Sequence, residues 1–311
     1  MPKVELMLSE WNALAPERQR FIASQLSRYF LSPLLSVDAI MPVAVDYFGN
    51  HLNTFDILIG GEWLRFIPGM RHVALGVKQP IPAEMQGTLN ALGVSKTTAQ
   101  QHLSPAAVRD MPPMLVARTS VNTGEEVIGT IDLTTQVFSG DHFAYVPIKN
   151  QVLALLRPKA AGLTPTRADA FAPRLENATV VLRLAGEHTY QVAVKRDWDQ
   201  AGLVKRLSGF GFALPDEREY EYLMGGGLDS LFGWGNRLPE AGMRYVPNRF
   251  GLTVPVARKG AELVRSAFAK SAAVSAGATV QALLPLSQFY RTRPGAFKTM
   301  RYRKIAKVEL Q

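Results

Sequence analysis

Three carboxylates alternate through Glu217-Arg218-Glu219-Tyr220-Glu221, and Asp216 stands just before them. Carboxylates grouped in this way can act as general acid and base, or ligate a hard cation. The same residues also spell a helix start. Asp216 is a good N-cap, and Glu219 three residues on can reach back to the cap nitrogen, an Asp version of the capping box. Acidic residues in the first turn suit the helix dipole, and Gly225-Gly226-Gly227 supplies the stop. The segment therefore reads as a capped helix rather than an acid–base or metal site.

Other chemical signals are weaker. The glycine run is followed by Leu228-Asp229-Ser230 and lies after a helix, so it is no phosphate loop. Gly209-Phe210-Gly211 lacks a third glycine at the dinucleotide spacing, and no Gly-x-Ser-x-Gly elbow occurs. The histidines His51, His72, His102, His142 and His188 are 21 to 46 residues apart, with no paired spacing that would ligate a metal. Asp141-His142 could form an acid–base pair, but a loop Asp-His usually faces solvent. There is no cysteine, which excludes disulfides, Cys-ligated zinc or iron–sulfur centres, and thiol nucleophiles.

The elements that would position these residues can be read from periodicity. Pro16 opens a helix whose residues Phe21, Ile22, Leu26, Tyr29 and Phe30 are expected on one face, ended by Leu31-Ser32-Pro33. Residues 1–50 are taken as a helical segment docked on a body formed by residues 51–311. Phe55–Ile59 and Trp63–Ile67 flank Gly60-Gly61, a hairpin pattern. Residues 79–113, with five prolines, read as a long loop with at most one short helix near Ser104–Asp110. Pro158, Pro165 and Pro173 mark the best linker, at 157–175, although the apolar strands on its two sides do not resemble separate cores. Thr179–Leu184 reads as a strand. A helix starting at Asp197 or Asp199 would bury Trp198, Ala201, Val204 and Leu207. The expected class is α+β, with few helices, many short strands and no β-α-β alternation.

The chain has 311 residues, 47% of them apolar and 20% charged, enough for a substantial core and too apolar for wholesale disorder. No run approaches the ~18 apolar residues of a membrane span, and the first residues lack the form of a secretory signal. A cytoplasmic location is expected, with no membrane partner. The net charge of +9 is uneven: residues 1–150 hold 11 basic and 13 acidic side chains, and residues 151–311 hold 24 and 13. Tyr290–Gln311 alone carries seven basic residues against Glu309, a tail that could suit a polyanion or simply be a solvated strand face.

Four segments in order then resemble one family. They are Phe212-Ala-Leu-Pro-Asp-Glu-Arg-Glu-Tyr-Glu-Tyr222 with its glycine run, Phe232-Gly-Trp-Gly-Asn236, Asn248-Arg-Phe-Gly-Leu252, and Arg301-Tyr-Arg-Lys-Ile305. Together with Phe66-Ile-Pro-Gly69 and Leu75-Gly76, they resemble the formylglycine-generating enzyme (sulfatase-modifying factor) family over roughly residues 55–311. The resemblance implies a C-type-lectin-like α+β fold with irregular strands and long loops.

Active members of that family oxidise a substrate cysteine using Cu(I) held by two cysteines in Cys-Tyr-Arg-Tyr-Arg-Cys. Here the matching stretch is Phe289-Tyr290-Arg291-Thr292-Arg293-Pro294, so Phe289 and Pro294 replace both ligands. Copper(I) needs soft donors, and neither residue provides one. The family's calcium signature is also altered, reading Arg258-Lys259-Gly260-Ala261-Glu262-Leu263. The three-histidine site of the related iron sulfoxide synthases has no visible counterpart. What the resemblance implies is a family member without copper oxidase activity, with no cofactor or metal, that binds a peptide, a small anionic ligand or a protein partner. The candidate cleft comprises Trp234, Asn236, Tyr290, Arg291 and Arg293, whose arginines suit carboxylate or sulfate. An enzyme with different chemistry in the same cleft is one alternative, and a nucleic-acid or other polyanion binder using the basic tail is another.

Overall fold

The structure is a computed structural model that describes residues 3–47, 49–157, 172–238, 245–255, 260–275 and 277–308. Its class is α+β, with several antiparallel sheets. Pro16 occupies the first turn of the helix Pro16–Phe30, where its missing N–H costs nothing. Ile22, Ala23 and Leu26 form the buried stripe of that helix. Phe21 and Tyr29, expected on that stripe, are 53% and 67% exposed. Phe21 sits about 100° round the helix from Ile22, and the last turn directs Phe30, not Tyr29, against the core. An arginine covers each exposed ring instead, Arg18 over Phe21 and Arg28 over Tyr29.

The first sheet has the strand order Val37–Tyr47, Asn50–Ile59, Glu62–Ile67, Met114–Ala117 and Ile305–Lys307, antiparallel throughout. The anticipated hairpin is present: Gly60 and Gly61 both take positive φ, 54° and 80°, which suits the right-handed twist of the strands they join. Gly61 has a second reason to lack a side chain, since a Cβ there would fall 2.4 Å from the backbone of Gly129 in the neighbouring sheet. Val37–Tyr47 pairs along its length with Asn50–Ile59, so this hairpin joins residues on both sides of the 50/51 boundary read from the sequence. Phe66 and Phe55 stack at 5.1 Å, and Trp11 tilts onto both within the main core.

The second sheet runs Arg174–Glu176, Val180–Gly186, Thr189–Lys195, Glu125–Asp132 and Phe138–Gly140. With the helix Lys149–Leu156 it encloses its own core of Ile128, Ile131, Val152, Leu182, Tyr190 and Val192. Strands from before and after the linker segment share this core, as expected, while Pro158 and Pro165 lie outside the described residues. A third sheet is built from two-residue strands and includes Ala269–Lys270, Arg291–Thr292 and Arg301–Tyr302.

Two sequence readings are corrected here. Residues 79–113 contain the helices Ala83–Ala91 and Lys96–His102 and the strand Ala107–Met111, which pairs with Met70–Leu75. Met85 and Leu89 hold the first of these helices against a satellite core that includes Trp234 and Phe289. In the helix Gln200–Ser208, capped by the Asp199 carboxylate, the buried residues are Leu203 and Leu207, whereas Ala201 and Val204 are exposed and Trp198, just before the helix, is partly buried. A single four-residue step sets this face, and Val204 falls outside it.

Candidate functional site

The helix Glu217–Gly225 begins as its sequence dictates. The Asp216 carboxylate accepts from the backbone nitrogens of Arg218 and Glu219, and Glu219 Oε2 accepts from the Asp216 nitrogen at 2.7 Å. Gly226 closes it with φ 65°. Capping occupies one of the three alternating glutamates, and ion pairs hold all three. Glu219 meets Lys307, Glu221 meets Arg218 and Lys270, and Glu217 meets Lys270 and Arg291.

This network fixes what the Tyr290-Arg291 segment can do. Arg291 donates from Nε and Nη2 to the two oxygens of Glu217, both at 2.5 Å, and its guanidinium lies 4.9 Å from the ring of Phe268. The hydrogen bond to Glu217 raises the Arg291 pKa. Burial works to raise that of Glu217, but Arg291 and Lys270 outweigh it and hold the carboxyl below its usual range. Lys270 is fully buried; burial pushes its pKa down against the pull of Glu221 and Glu217. A paired, stacked and bidentate arginine is a structural clamp with little capacity left for a free carboxylate.

The other residues of the sequence-read cleft also have structural work. Trp234 is buried, stacks on Phe232 at 4.9 Å and donates to the Arg237 carbonyl. Asn236 Oδ1 accepts from the Leu231 nitrogen at 2.7 Å, tying the Phe232–Gly235 turn. Tyr290 stacks on His102, and burial raises its pKa. Arg293 and Pro294 are exposed. Phe289 is wholly buried, in the same satellite core as Trp234, Leu103 and Leu286. The structure thus brings Trp234, Phe289 and Tyr290 together as packing and sends Arg291 elsewhere, to Glu217. His142 lies edge-on to Phe138, while Asp141 caps the short helix after it. Of the stretch compared with a calcium signature, Arg258 and Lys259 lie outside the described residues, and Glu262 faces Arg303 at 3.7 Å. Among the described residues no group of three or more His, Asp or Glu side chains is placed to hold a metal ion, and no helix is long and apolar enough to cross a membrane.

Space for a ligand lies elsewhere, where the Gly60 turn of the first sheet meets the second sheet and the helix Gln200–Ser208. A cavity of about 450 Å³ opens there, within the range of small-molecule sites, about 300–1,000 Å³. Ile59, Val127, Ile128, Leu203, Leu207 and Phe212 give it apolar walls. Its charged groups form two sets. Lys304 is bonded to Glu62 and lies 4.6 Å from the Phe212 ring. Arg206 is bonded to Glu126, which also receives Arg196 at 2.6 Å, and it approaches Asp141 at 3.7 Å.

Sequence reasoning missed this cavity because its walls come from residues 34 to 304 and no motif spans them. The one local trace is Glu125-Glu126, two adjacent carboxylates opening an apolar strand and both buried. Charge in such a place demands partners, which the sequence alone does not identify. Compared with family models and with curated proteins, the chain gives no match.

Proposed function

We propose that the chain is a formylglycine-generating-enzyme-like protein of C-type-lectin-like fold that acts in the cytoplasm by binding a ligand, without copper oxidase chemistry. The observation that carries this reading is Phe289. It stands where the family resemblance puts the first copper cysteine, and it is fully buried in an apolar core. Pro294, at the second position, offers no donor atom, and the chain has no thiol anywhere. The residues present therefore do not fit Cu(I). The mixed α+β class and the capped Glu217–Gly225 helix are consistent with the family resemblance, and the cavity beside Gly60 offers room for a ligand.

Ion pairing disfavours the polyanion alternative. In the basic tail, Arg291, Lys298, Arg303, Lys304 and Lys307 each face a carboxylate. Cu(I) titration, together with incubation of the protein and copper with a cysteine-containing sulfatase peptide, tests the proposal. The expected result is no stoichiometric copper uptake and no aldehyde formed on the peptide. Robust turnover would end it.

A further inference from the structure

We infer that the cavity between the two sheets binds a small, uncharged, largely apolar molecule. This rests on the reading of the chain as a binding protein and adds the ligand class and the site. The walls come from separate elements: Ile59 from the first sheet, Val127 and Ile128 from the second, Leu203 and Leu207 from the helix. Four of these five side chains are buried, and Val127 is partly so, which makes the walls part of the packed framework. The site is therefore largely pre-formed, as small-molecule sites usually are.

Charge decides the ligand class. The lysine and arginine on the lining, Lys304 and Arg206, are already bonded to Glu62 and Glu126. An anionic headgroup would have to displace one of these carboxylates and leave it poorly solvated, and a cationic one would have to displace the lysine or the arginine; either exchange is costly in a partly buried setting. A neutral molecule leaves both pairs intact and covers a mostly apolar lining. Asp141, His142 and Tyr302 are the other titratable groups of the lining: a cation at Asp141 would face Arg206, 3.7 Å away, Tyr302 is buried, and His142 is exposed.

Two large apolar side chains of the lining stand in solvent. Phe143 and Leu34 both line the cavity while remaining 95% and 82% exposed. Large side chains left in water beside an apolar cavity are what a ligand entering it would cover.

Fluorescence titration of the intact protein with N-phenyl-1-naphthylamine, a neutral aromatic probe, tests the inference. Its sulfonated relative 8-anilino-1-naphthalenesulfonate has the same ring framework plus a negative charge. The expected result is saturable one-to-one binding of the neutral probe, at least tenfold tighter than the sulfonate. Phe143→Ser and Leu34→Ser should each weaken it at least threefold, and Tyr29→Ser, at an exposed ring that is not part of the cavity lining, should not. No saturable binding, equal or tighter binding of the sulfonate, unchanged affinity in both lip variants, or an equal loss in Tyr29→Ser would each overturn the inference. The copper and peptide assays are independent of the probe, so failure here is distinguishable from failure of the wider reading.

Discussion

The Lys270 ammonium donates to Glu221 Oε1 across 2.8 Å, and both side chains are completely removed from solvent. Glu221 also receives Arg218 at 2.8 Å, and Glu217 approaches the same ammonium at 3.4 Å, so two carboxylates share the buried Lys270 charge. Removing the Glu221 carboxylate is expected to cost about 3 kcal/mol, because the buried ammonium then keeps only the longer contact to Glu217. In urea unfolding, Glu221→Leu should lower the midpoint sharply. The double variant Glu221→Leu/Lys270→Met should recover more than half of that loss.

Glu217 gives a pH signature. Its pKa lies below the ordinary carboxylate value when folded: burial opposes ionisation, but Arg291 and Lys270 favour it more. A depressed carboxylate pKa contributes stability that is complete above the unfolded value of about 4.5 and is lost as pH falls through the folded one. Glu217→Gln should therefore lower stability at neutral pH and flatten its decline from about pH 5 downward. Denaturant midpoints measured across that range check the sign, and a parallel decline in the variant would refute it.

Gly251 takes φ 66°, and a Cβ there would lie 2.2 Å from Arg65 Nη1. Arg65 is the buried guanidinium that pairs with Asp56 at 2.8 Å and also donates to the Gly251 carbonyl. Gly251→Ala combines left-handed strain with a clash against an ion pair that has little freedom to move. A loss of at least about 2 kcal/mol is expected, read by thermal or urea unfolding.

Phe289 should behave as a core residue. Phe289→Ala is expected to cost about 3–5 kcal/mol and to leave the oxidation state of a cysteine peptide unchanged. A stable variant would show that this ring contributes little to the satellite core.

What the sequence revealed was mostly local. The Asp216–Glu219 capping box, the Gly60-Gly61 hairpin and the Pro16 helix start each lie within a few residues, and all three formed as read. The helices Ala83–Ala91 and Lys96–His102 escaped notice because prolines and polar residues hide a short apolar face. Met85 and Leu89 become buried only through a core supplied by distant segments. The candidate cleft failed to assemble for a similar reason. Arg291 looked available for a ligand, yet its partner Glu217 lies 74 residues upstream, and composition cannot show that the charge is already satisfied.

The first sheet carries a consequence for the order of events during synthesis. Met114–Ala117 is flanked on one side by Glu62–Ile67 and on the other by Ile305–Lys307. Until residue 307 clears the ribosome, that side of a buried apolar strand has no partner. An unpaired edge of this kind invites association with other chains, and closing so distant a contact is slow. A nascent chain stalled before residue 305 would thus present an adhesive strand, and chaperone capture would matter most in that interval.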